Sequence, residues 1–302
     1  MTTLQIADEV GAALDAGRPV VALESTLISH GLPHPRNLDV ARRLEAIVRV
    51  YGATPATVGV VSGCPIIGLD ADELAVLATA DGVSKCSRRD LPIVMARGGH
   101  GATTVAGTLA LMGLAGIRVL ATGGLGGVHR GAELTFDVSA DLPELARTEA
   151  VVVCAGAKAL LDLPRTVELL ETLGVPVLGW RTDELPAFYA SRSGLPVVAR
   201  VESAGEVAAI ARAAWGSGLV RGMILGVPPP PDTAIDADEI ERVLASALEE
   251  AAREGVTGAR ITPYLLHAIA AGMEGRSLDA NVALLENNAR VGALVAVALA
   301  GT

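Results

Sequence analysis

The sequence predicts an α/β protein built around a sheet that helices cover on both faces. Short runs of branched apolar residues alternate along the chain with amphipathic segments of helical period, the pattern of strands and connecting helices. Hydrophobic residues make up 51% of the chain and aromatic residues only 2%. The core must therefore be built from Val, Leu, Ile and Ala, as is typical of a sheet buried on both faces.

Length and charge limit the class of protein. A chain of 302 residues can bury a sizeable core, and we expect a single domain over residues 1–302. The formal net charge of -10 disfavours binding to a nucleic-acid backbone. The run Pro228–Pro231 stiffens a loop rather than separating domains, because a helical pattern resumes at Asp236.

The apolar pattern places the elements in order. In the first half it predicts helices over 4–17, 37–50 and 70–79, strands over 19–23, 57–61 and 117–121, turns over 63–65 and 98–104 and a polar loop over 82–87. In the second half it predicts strands over 150–154, 175–179, 197–200 and 222–227, and helices over 164–173, 185–191, 202–215, 236–254 and from 264 onward.

The stretch Ala150–Asp162 carries the main functional prediction. It reads as a buried strand that passes through a glycine turn into a helix, with Lys158 at the bend. Open α/β sheets bind ligands at the carboxyl ends of their strands. A lysine in apolar surroundings loses solvation of its charged form, which lowers its pKa and frees some of the amine as a nucleophile. This placement predicts Schiff-base chemistry.

The scarcity of lysine supports that prediction. Of the 24 lysines and arginines only Lys85 and Lys158 are lysines, and arginine cannot lose its proton to become a nucleophile. The structural alternative is that Lys158 extends from a helix start and pairs with a carboxylate. Lys85, in a polar loop, suits a phosphate or carboxylate partner, or is a solvated charge.

A carboxylate closes the strand predicted over 19–23. Glu24 can cap a helix, pair with a cation, or work as a general acid/base with a raised pKa. His30 and His34 follow in a loop rich in glycine and proline, without a third ligand at metal spacing. We expect both histidines to lie in the loop or at the rim of a pocket.

Two glycine-rich segments are candidate ligand sites. The turn 98–104 opens a helix beside paired threonines, and free amides at a helix start can bind an anion. It lacks the Gly-Lys-Ser/Thr of a nucleoside triphosphate loop. The loop 122–131 is rich enough in glycine to approach a ligand closely or to move over it, with His129 and Arg130 either contacting the ligand or serving the structure.

Two carboxylates follow the second segment. Asp137 could be a ligand of a hard metal whose shell is completed by water, and Asp141 could cap the helix after it. The three cysteines lack metal or redox spacing and are expected to be reduced. No secretory signal pattern is present, and the last apolar run, Val291–Ala300, is too short to span a bilayer. We therefore expect a soluble, cytoplasmic protein.

Four motifs, in this order, resemble the pseudouridine-5'-phosphate glycosidase family, which includes proteins of indigoidine biosynthesis clusters. They are Ala22-Leu23-Glu24-Ser25-Thr26 with His30-Gly31, Gly101-Ala102-Thr103-Thr104-Val105-Ala106, Gly127-Val128-His129-Arg130-Gly131-Ala132 with Phe136-Asp137-Val138-Ser139-Ala140-Asp141, and Val153-Cys154-Ala155-Gly156-Ala157-Lys158. The resemblance covers nearly the whole chain. It implies a three-layer α/β/α sandwich around a mixed, largely parallel sheet, commonly assembled as a homotrimer.

The resemblance implies reversible cleavage of the C–C glycosidic bond of pseudouridine 5'-phosphate to uracil and ribose 5-phosphate, in pseudouridine catabolism. Glu24 would protonate the ring oxygen while Lys158 attacks the anomeric carbon and opens the sugar into an imine. The imine would serve as an electron sink while proton shifts on uracil let the C–C bond break. Water would then release ribose 5-phosphate.

The resemblance also implies a set of binding residues. Asp137 matches the family's divalent-metal position, commonly occupied by Mn²⁺. The position before the prolines is Val227, where the family suggests an asparagine, so one contact to the base is expected to be missing. The substrate-binding positions that the resemblance implies are Lys85, Thr104, Val105, Thr122, His129, Ser139, Ala140, Asp141 and Asn288.

Two other functions use the same residues. A different imine-forming lyase of sugar phosphates, such as an aldolase, would need Lys158 but would not recognise uracil. A nucleotide-sensing protein without catalysis would bind a ligand and form no covalent adduct.

Overall fold

The computed structural model describes residues 3–256, 261–273 and 275–301. Its strands are β1 (Gln5–Ile6), β2 (Val20–Leu23), β3 (Thr54–Val61), β4 (Cys64–Ile67), β5 (Ser84–Cys86), β6 (Gly101–Thr103), β7 (Val119–Ala121), β8 (Ala150–Cys154), β9 (Val177–Trp180), β10 (Ala199–Val201) and β11 (Gly222–Gly226). Its α-helices are α1 (Asp8–Asp15), α2 (Arg36–Val50), α3 (Ala71–Thr79), α4 (Leu91–Ala96), α5 (Val105–Leu114), α6 (Ala132–Thr135), α7 (Asp141–Leu145), α8 (Leu163–Thr172), α9 (Ala204–Ser217), α10 (Ala237–Arg253), α11 (Ile261–Gly272) and α12 (Arg276–Ala300). A short π-helical turn spans Leu27–Gly31.

The strands form one mixed, largely parallel sheet. Its main path runs β1-β4-β3-β2-β7-β8-β11-β9-β10, and β6 pairs with β3 and with β5 at the side of that path. Among the pairs of these strands, only β3 with β4 and β3 with β6 are antiparallel. The sheet is therefore mixed and largely parallel, as the family resemblance implies.

Alternate residues of the central strands enter two different cores. Val151 and Val153 of β8 pack with α2, α9 and α12 on one face, whereas Val152 packs with α1, α5 and α7 on the other. This alternation is the period of a strand buried on both faces. It confirms the three-layer α/β/α sandwich.

Three neighbouring strands end at one edge of the sheet. β2 pairs in parallel with β7, with Leu23 opposite Ala121, and β7 pairs in parallel with β8, with Ala121 opposite Val153. The residues that follow β2, β7 and β8 must therefore emerge side by side.

Several predicted boundaries differ from the structure. The helix predicted over 4–17 is shorter, because residues 5–6 instead pair with β4 as β1. The turn predicted over 63–65 ends earlier, since Cys64 begins β4. The loop predicted over 82–87 contains β5, which is held by parallel pairing with β6. The apolar segment over 91–96 is the short helix α4.

Two predicted helical segments are wrong. The segment 185–191 is irregular because Phe188 has a left-handed backbone, with a φ of 62°, which a right-handed helix does not contain. The chain after Lys158 is also a turn, and α8 begins only at Leu163, with the Asp162 side chain as its N-cap. Lys158 therefore lies in a loop rather than at a helix start.

The last helix, α12, belongs to the core. By length and composition it could cross a membrane, but 56% of its most apolar window is buried within the molecule. The apolar run considered in the sequence, Val291–Ala300, is thus the end of a longer helix. Val291, Ala293 and Val295 are completely buried in the core.

Candidate active site

A cavity of about 140 Å³ lies at the edge of the sheet where β2, β7 and β8 end. Glu24, Lys85 and Lys158 line it, so it collects both lysines of the chain and the carboxylate that closes β2. A larger groove of about 590 Å³ shares Ala159 with this cavity but contains none of these three residues. We take the smaller cavity as the candidate site because it holds the chemically competent groups.

The residue that follows β7 positions the Glu24 carboxylate and affects its pKa. Thr122, the residue after β7, donates its hydroxyl hydrogen to the Glu24 carboxylate. Burial raises the pKa of Glu24 above its ordinary value, while the positive charge of Lys158 and the Thr122 hydrogen bond oppose that rise. A carboxyl group with a raised pKa keeps its proton at higher pH and can serve as a general acid.

Lys158 is positioned by the loops that continue β7 and β8. The Lys158 amide donates to the Leu125 carbonyl at 3.0 Å, and the Leu125 amide donates to the Gly156 carbonyl at 3.0 Å. Gly156 has a φ of 85°, and a Cβ there would lie 2.0 Å from the Pro186 carbonyl oxygen. Only glycine fits this turn.

The surroundings of Lys158 bear on the structural alternative considered for it. Among the described residues Lys158 forms no ion pair within 4.0 Å. The amine therefore lines the cavity without being clamped by a carboxylate, which leaves it available to a ligand.

Lys85 reaches the same cavity from β5. More than a third of the residue surface is exposed, yet partial burial of the amine, followed by the charge of Lys158, lowers the pKa of Lys85. The negative charges of Glu24 and Asp141 act in the opposite direction. His30 lines the cavity as expected of a pocket-rim residue, and burial and Lys85 lower its pKa. Lys85 and His30 therefore offer an anionic ligand two nitrogen groups at the cavity wall.

The start of α5 is already partly occupied by protein groups. Thr104 is the N-cap, and its hydroxyl accepts from the Gly107 amide at 3.3 Å. The Ala106 amide donates to Asp141 at 2.8 Å. An anion at this helix start would have to use the Val105 amide or displace Asp141.

Asp141 joins two loops rather than capping its own helix. It is the first residue of α7 and makes no cap of that helix. One carboxylate oxygen accepts from Ala106 and the other from the Gly126 amide at 2.8 Å. The N-cap position of α7 belongs to Ala140, and the Ser139 hydroxyl accepts from the Asp141 amide at 3.2 Å. Asp141 therefore supports the loop after β7, and Ser139, Ala140 and Asp141 are not among the residues that line the cavity.

His129 and Arg130 do not line the cavity, but His129 pairs with Leu161, next to the lining residue Leu160. The His129 amide donates to the Asp137 carbonyl at 3.0 Å, and the His129 ring nitrogen is 4.0 Å from the Asp137 carboxylate. Arg130 forms two parallel hydrogen bonds of 2.8 Å with Glu241, which engage both terminal nitrogens of its guanidinium group.

The donor set at Asp137 is sparse for a metal. Among the described residues no group of three or more His, Cys, Asp or Glu side chains could hold an ion. The Asp137 side chain is half exposed, so it can offer a carboxylate oxygen to a cation that keeps most of its water. The residues thus fit a largely hydrated divalent ion, as Mn²⁺ or Mg²⁺ can be, and not a cage of protein ligands.

Asn288 supports the site from behind. Its side chain is completely buried and donates to the Thr122 carbonyl at 2.8 Å, which fixes the loop after β7. Asn281, which lies about two helical turns before Asn288 on α12, lines the cavity. Val227 is buried in the core at the end of β11, with its amide bonded to the Cys154 carbonyl at 2.8 Å.

Sequence reasoning missed the aromatic wall of the cavity. Phe188 and Tyr189 line it, but the segment that carries them was predicted as a helix. The signal that could have found them is composition, because the chain has only two phenylalanines, three tyrosines and two tryptophans.

Residues 9–298 match the family model described as indigoidine synthase A like protein. Two relatives are named pseudouridine-5'-phosphate glycosidase. The protein from Caldanaerobacter subterraneus subsp. tengcongensis is 53% identical over 98% of this chain and 96% of its own. The protein from Roseiflexus sp. (strain RS-1) is 57% identical over 99% of this chain and 96% of its own.

Two solved structures are similar over the whole chain. The prealnumycin C-glycosynthase AlnA, in complex with ribulose 5-phosphate, has a TM-score of 0.94 and 39% identity, and the match covers 100% of this chain and 98% of AlnA. An indigoidine synthase A-like protein from Thermotoga maritima has a TM-score of 0.89 and 37% identity, and the match covers 99% of this chain and 97% of that one.

Proposed function

The chain belongs to the family of indigoidine synthase A like proteins, and from this membership we propose that it is a pseudouridine-5'-phosphate glycosidase. It cleaves the C–C glycosidic bond of pseudouridine 5'-phosphate reversibly and gives uracil and ribose 5-phosphate. Full-length relatives at about half identity that carry this name support the proposal. The AlnA complex supports a sugar phosphate as one of the two small-molecule ligands.

The observation that carries this proposal is the convergence of Glu24 and Lys158 on one cavity. A carbon-linked base cannot be expelled by protonating the atom that joins it to the sugar, so a covalent route is needed. A carboxylic acid that follows β2 and an amine in the loop after β8, with β7 between these two strands, supply the two groups that such a route requires.

Lys158 begins the reaction as a nucleophile. Its unprotonated amine bonds to C1' of the sugar, the bond from C1' to the ring oxygen breaks, and Glu24 gives that oxygen its proton. The sugar is then an open chain whose C1' carries both the lysine nitrogen and uracil. Gly156 and the hydrogen bond from the Lys158 amide to Leu125 hold the backbone of the nucleophile in place.

The base leaves in the second stage. The Lys158 nitrogen, positively charged after its attack, loses a proton, and C5 of uracil gains one. The C1'–C5 bond then breaks with its electrons passing into the ring, while the freed nitrogen lone pair forms the C=N bond of the imine. Water adds to the imine and releases ribose 5-phosphate and the free amine. The sum is substrate plus water giving uracil and ribose 5-phosphate.

The remaining polar groups serve binding and support. Lys85 suits the substrate phosphate as a point charge at the cavity wall. Thr122 positions Glu24, and Asn288 and Asp141 hold the loop that carries Thr122. Thr104 and Val105 at the start of α5 stay predicted contacts of the phosphate, and the turn of Ser139, Ala140 and Asp141 stays a predicted contact of the substrate.

A divalent ion, a homotrimer and the cytoplasmic location belong to the same proposal. Asp137 would hold the ion, with His129 beside it and water completing its shell. When bound, the ion would supply a fixed positive charge beside Asp137 and His129. Physiologically the reaction serves pseudouridine catabolism.

The likeness to the prealnumycin C-glycosynthase AlnA favours a second candidate, C-glycoside synthesis with an acceptor other than uracil. The lysine and acid chemistry would be the same in reverse, and only the acceptor would change. Comparing uracil with prealnumycin precursors as acceptors in the presence of ribose 5-phosphate separates the two. The glycosidase proposal expects turnover with uracil alone.

Chromatographic detection of uracil from pseudouridine 5'-phosphate tests the proposed activity. We expect Lys158→Ala and Lys158→Arg to lose turnover by at least about a thousandfold, because neither can form an imine. Lys158→Arg is the matched control, since it keeps the positive charge. Residual activity within about tenfold of the unaltered protein in either variant would contradict the covalent role. An aldolase or a nucleotide sensor would release no uracil.

A further inference from the structure

An aromatic corner made by Phe188 and Tyr189 forms part of the cavity wall. Aromatic residues make up only 2% of the chain, so two adjacent ones in a small cavity are a notable concentration. The two rings lie edge to face, with centroids 4.6 Å apart and an angle of 83° between their planes. This geometry fixes both rings against each other.

The backbone holds this corner in a costly conformation. Phe188 has a φ of 62°, a value that bulky side chains rarely adopt. Its amide donates to the Ala155 carbonyl at 2.8 Å, three residues before Lys158, and the Tyr189 carbonyl accepts from Ile235 at 2.8 Å. Such strain persists where the surroundings enforce it, and it is concentrated at functional sites.

The wall opposite Phe188 is shaped to receive its ring. A Cβ at Gly124 would lie 2.5 Å from the Phe188 ring, so that position must be glycine for the ring to pack there. Gly124 also lines the cavity and belongs to the loop after β7 that carries Thr122. The ring therefore packs between the two catalytic loops at the cavity end of the main core, and 6% of the Phe188 residue is exposed.

The cavity lining divides by chemistry. Its ionisable groups are Glu24, His30, Lys85 and Lys158, and its flat or apolar groups include Phe188, Tyr189, Ile269 and Leu285. The sugar phosphate needs the charged set. A planar, neutral pyrimidine needs an apolar surface on which it can stack.

We propose that the Phe188–Tyr189 corner is the base subsite. The uracil ring stacks on it before the C–C bond breaks, and the free uracil stacks on it before release. The proposal rests on the proposed function and adds the residues that select a flat base. Burial raises the pKa of Tyr189 to about 12, so its phenol stays neutral at working pH and adds no charge beside the base.

Steady-state kinetics in the synthetic direction test the subsite, with uracil and ribose 5-phosphate varied separately. We expect Phe188→Leu to raise the KM for uracil about tenfold, which equals about 1.4 kcal/mol. The KM for ribose 5-phosphate and the rate of its borohydride-trapped adduct should stay within about twofold. Phe188→Tyr keeps a flat ring and should restore most of the affinity for uracil.

Adduct formation with ribose 5-phosphate also reports whether each variant is folded around Lys158. If Phe188→Leu forms no adduct, Phe188→Met is measured in its place under the same criteria. An unchanged KM for uracil, or an equal rise for uracil and ribose 5-phosphate, would overturn the base subsite while leaving the glycosidase activity intact. If the unaltered protein neither forms the adduct nor joins the two substrates, the proposed function itself fails.

Discussion

At the scale of single residues, the chemistry depends on how the environment tunes one carboxyl group. Burial is the main cause of the raised pKa of Glu24, and Lys158 and Thr122 moderate it. A carboxyl group tuned in this way is protonated where an ordinary glutamate is ionised, so it can give a proton to the sugar ring oxygen. The activity should therefore fall as the pH rises through the raised pKa.

The Thr122 hydrogen bond gives this idea a direct test. A donor to the carboxylate stabilises the charged form and lowers the pKa, so its removal in Thr122→Val should raise the pKa of Glu24 further. Because the acid form is the active one, we expect the alkaline limb of kcat/KM to move to higher pH. The pH profile of uracil release measures this shift.

Thr122→Ser is the matched control, because it keeps the hydroxyl and should keep the profile of the unaltered protein. An alkaline limb that moves to lower pH in Thr122→Val, or does not move, would mean that Glu24 is not the acid whose titration limits the reaction.

At this scale the sequence identifies the reactive residues, but it predicts less well which side chains surround them. Glu24 and Lys158 each follow a buried strand, and that local signal is enough to predict their edge of the sheet. Phe188 could not be predicted as a wall residue, since its left-handed backbone is imposed by distant contacts to Ala155 and Gly124. Asn288 stays a predicted substrate contact, and its completely buried side chain supports the Thr122 loop.

At the scale of elements, side chains that bind backbone groups connect the catalytic loops to the helices. Asp141 at the start of α7 links the first turn of α5 to the loop after β7 through Ala106 and Gly126. Its side chain is nearly buried, with 5% exposure, so both acceptor oxygens are needed there. This residue belongs to the framework as well as to the predicted substrate turn.

We expect Asp141→Asn to lower the free energy of unfolding by about 1–3 kcal/mol, because an amide offers only one oxygen and leaves one buried N–H unpaired. Urea denaturation followed by circular dichroism measures the change.

Asp72→Asn, at an exposed position in the first turn of α3, is the matched control and should cost only a few tenths of a kcal/mol. Equal losses in the two variants would contradict the bridging role of Asp141.

Element prediction succeeded where local pattern and tertiary structure agree. The helices α2, α3 and α10 follow from the periodicity of their apolar residues. The strands β1 and β5 escaped prediction because each has at most three residues and exists only through pairing with β4 or β6. The segment 185–191 failed because its apolar residues serve a cavity wall and not a helix face.

At the scale of the whole molecule, the parallel order of the central strands creates the site. β2, β7 and β8 lie side by side. Glu24, Thr122 and Lys158 are far apart in the chain, and this order brings them together at one edge of the sheet. The sequence predicts the doubly covered sheet from its apolar, aromatic-poor composition. The strand order needs long-range pairing that composition does not contain.

Imine formation on Lys158 is the central claim, and one measurement tests it most directly. The protein is incubated with ribose 5-phosphate and borohydride, digested, and analysed by mass spectrometry. Since the chain has only two lysines, the site of the adduct is unambiguous. The account predicts a reduced ribose 5-phosphate adduct on Lys158 and none on Lys85. An unmodified Lys158, or an adduct confined to Lys85, would contradict it.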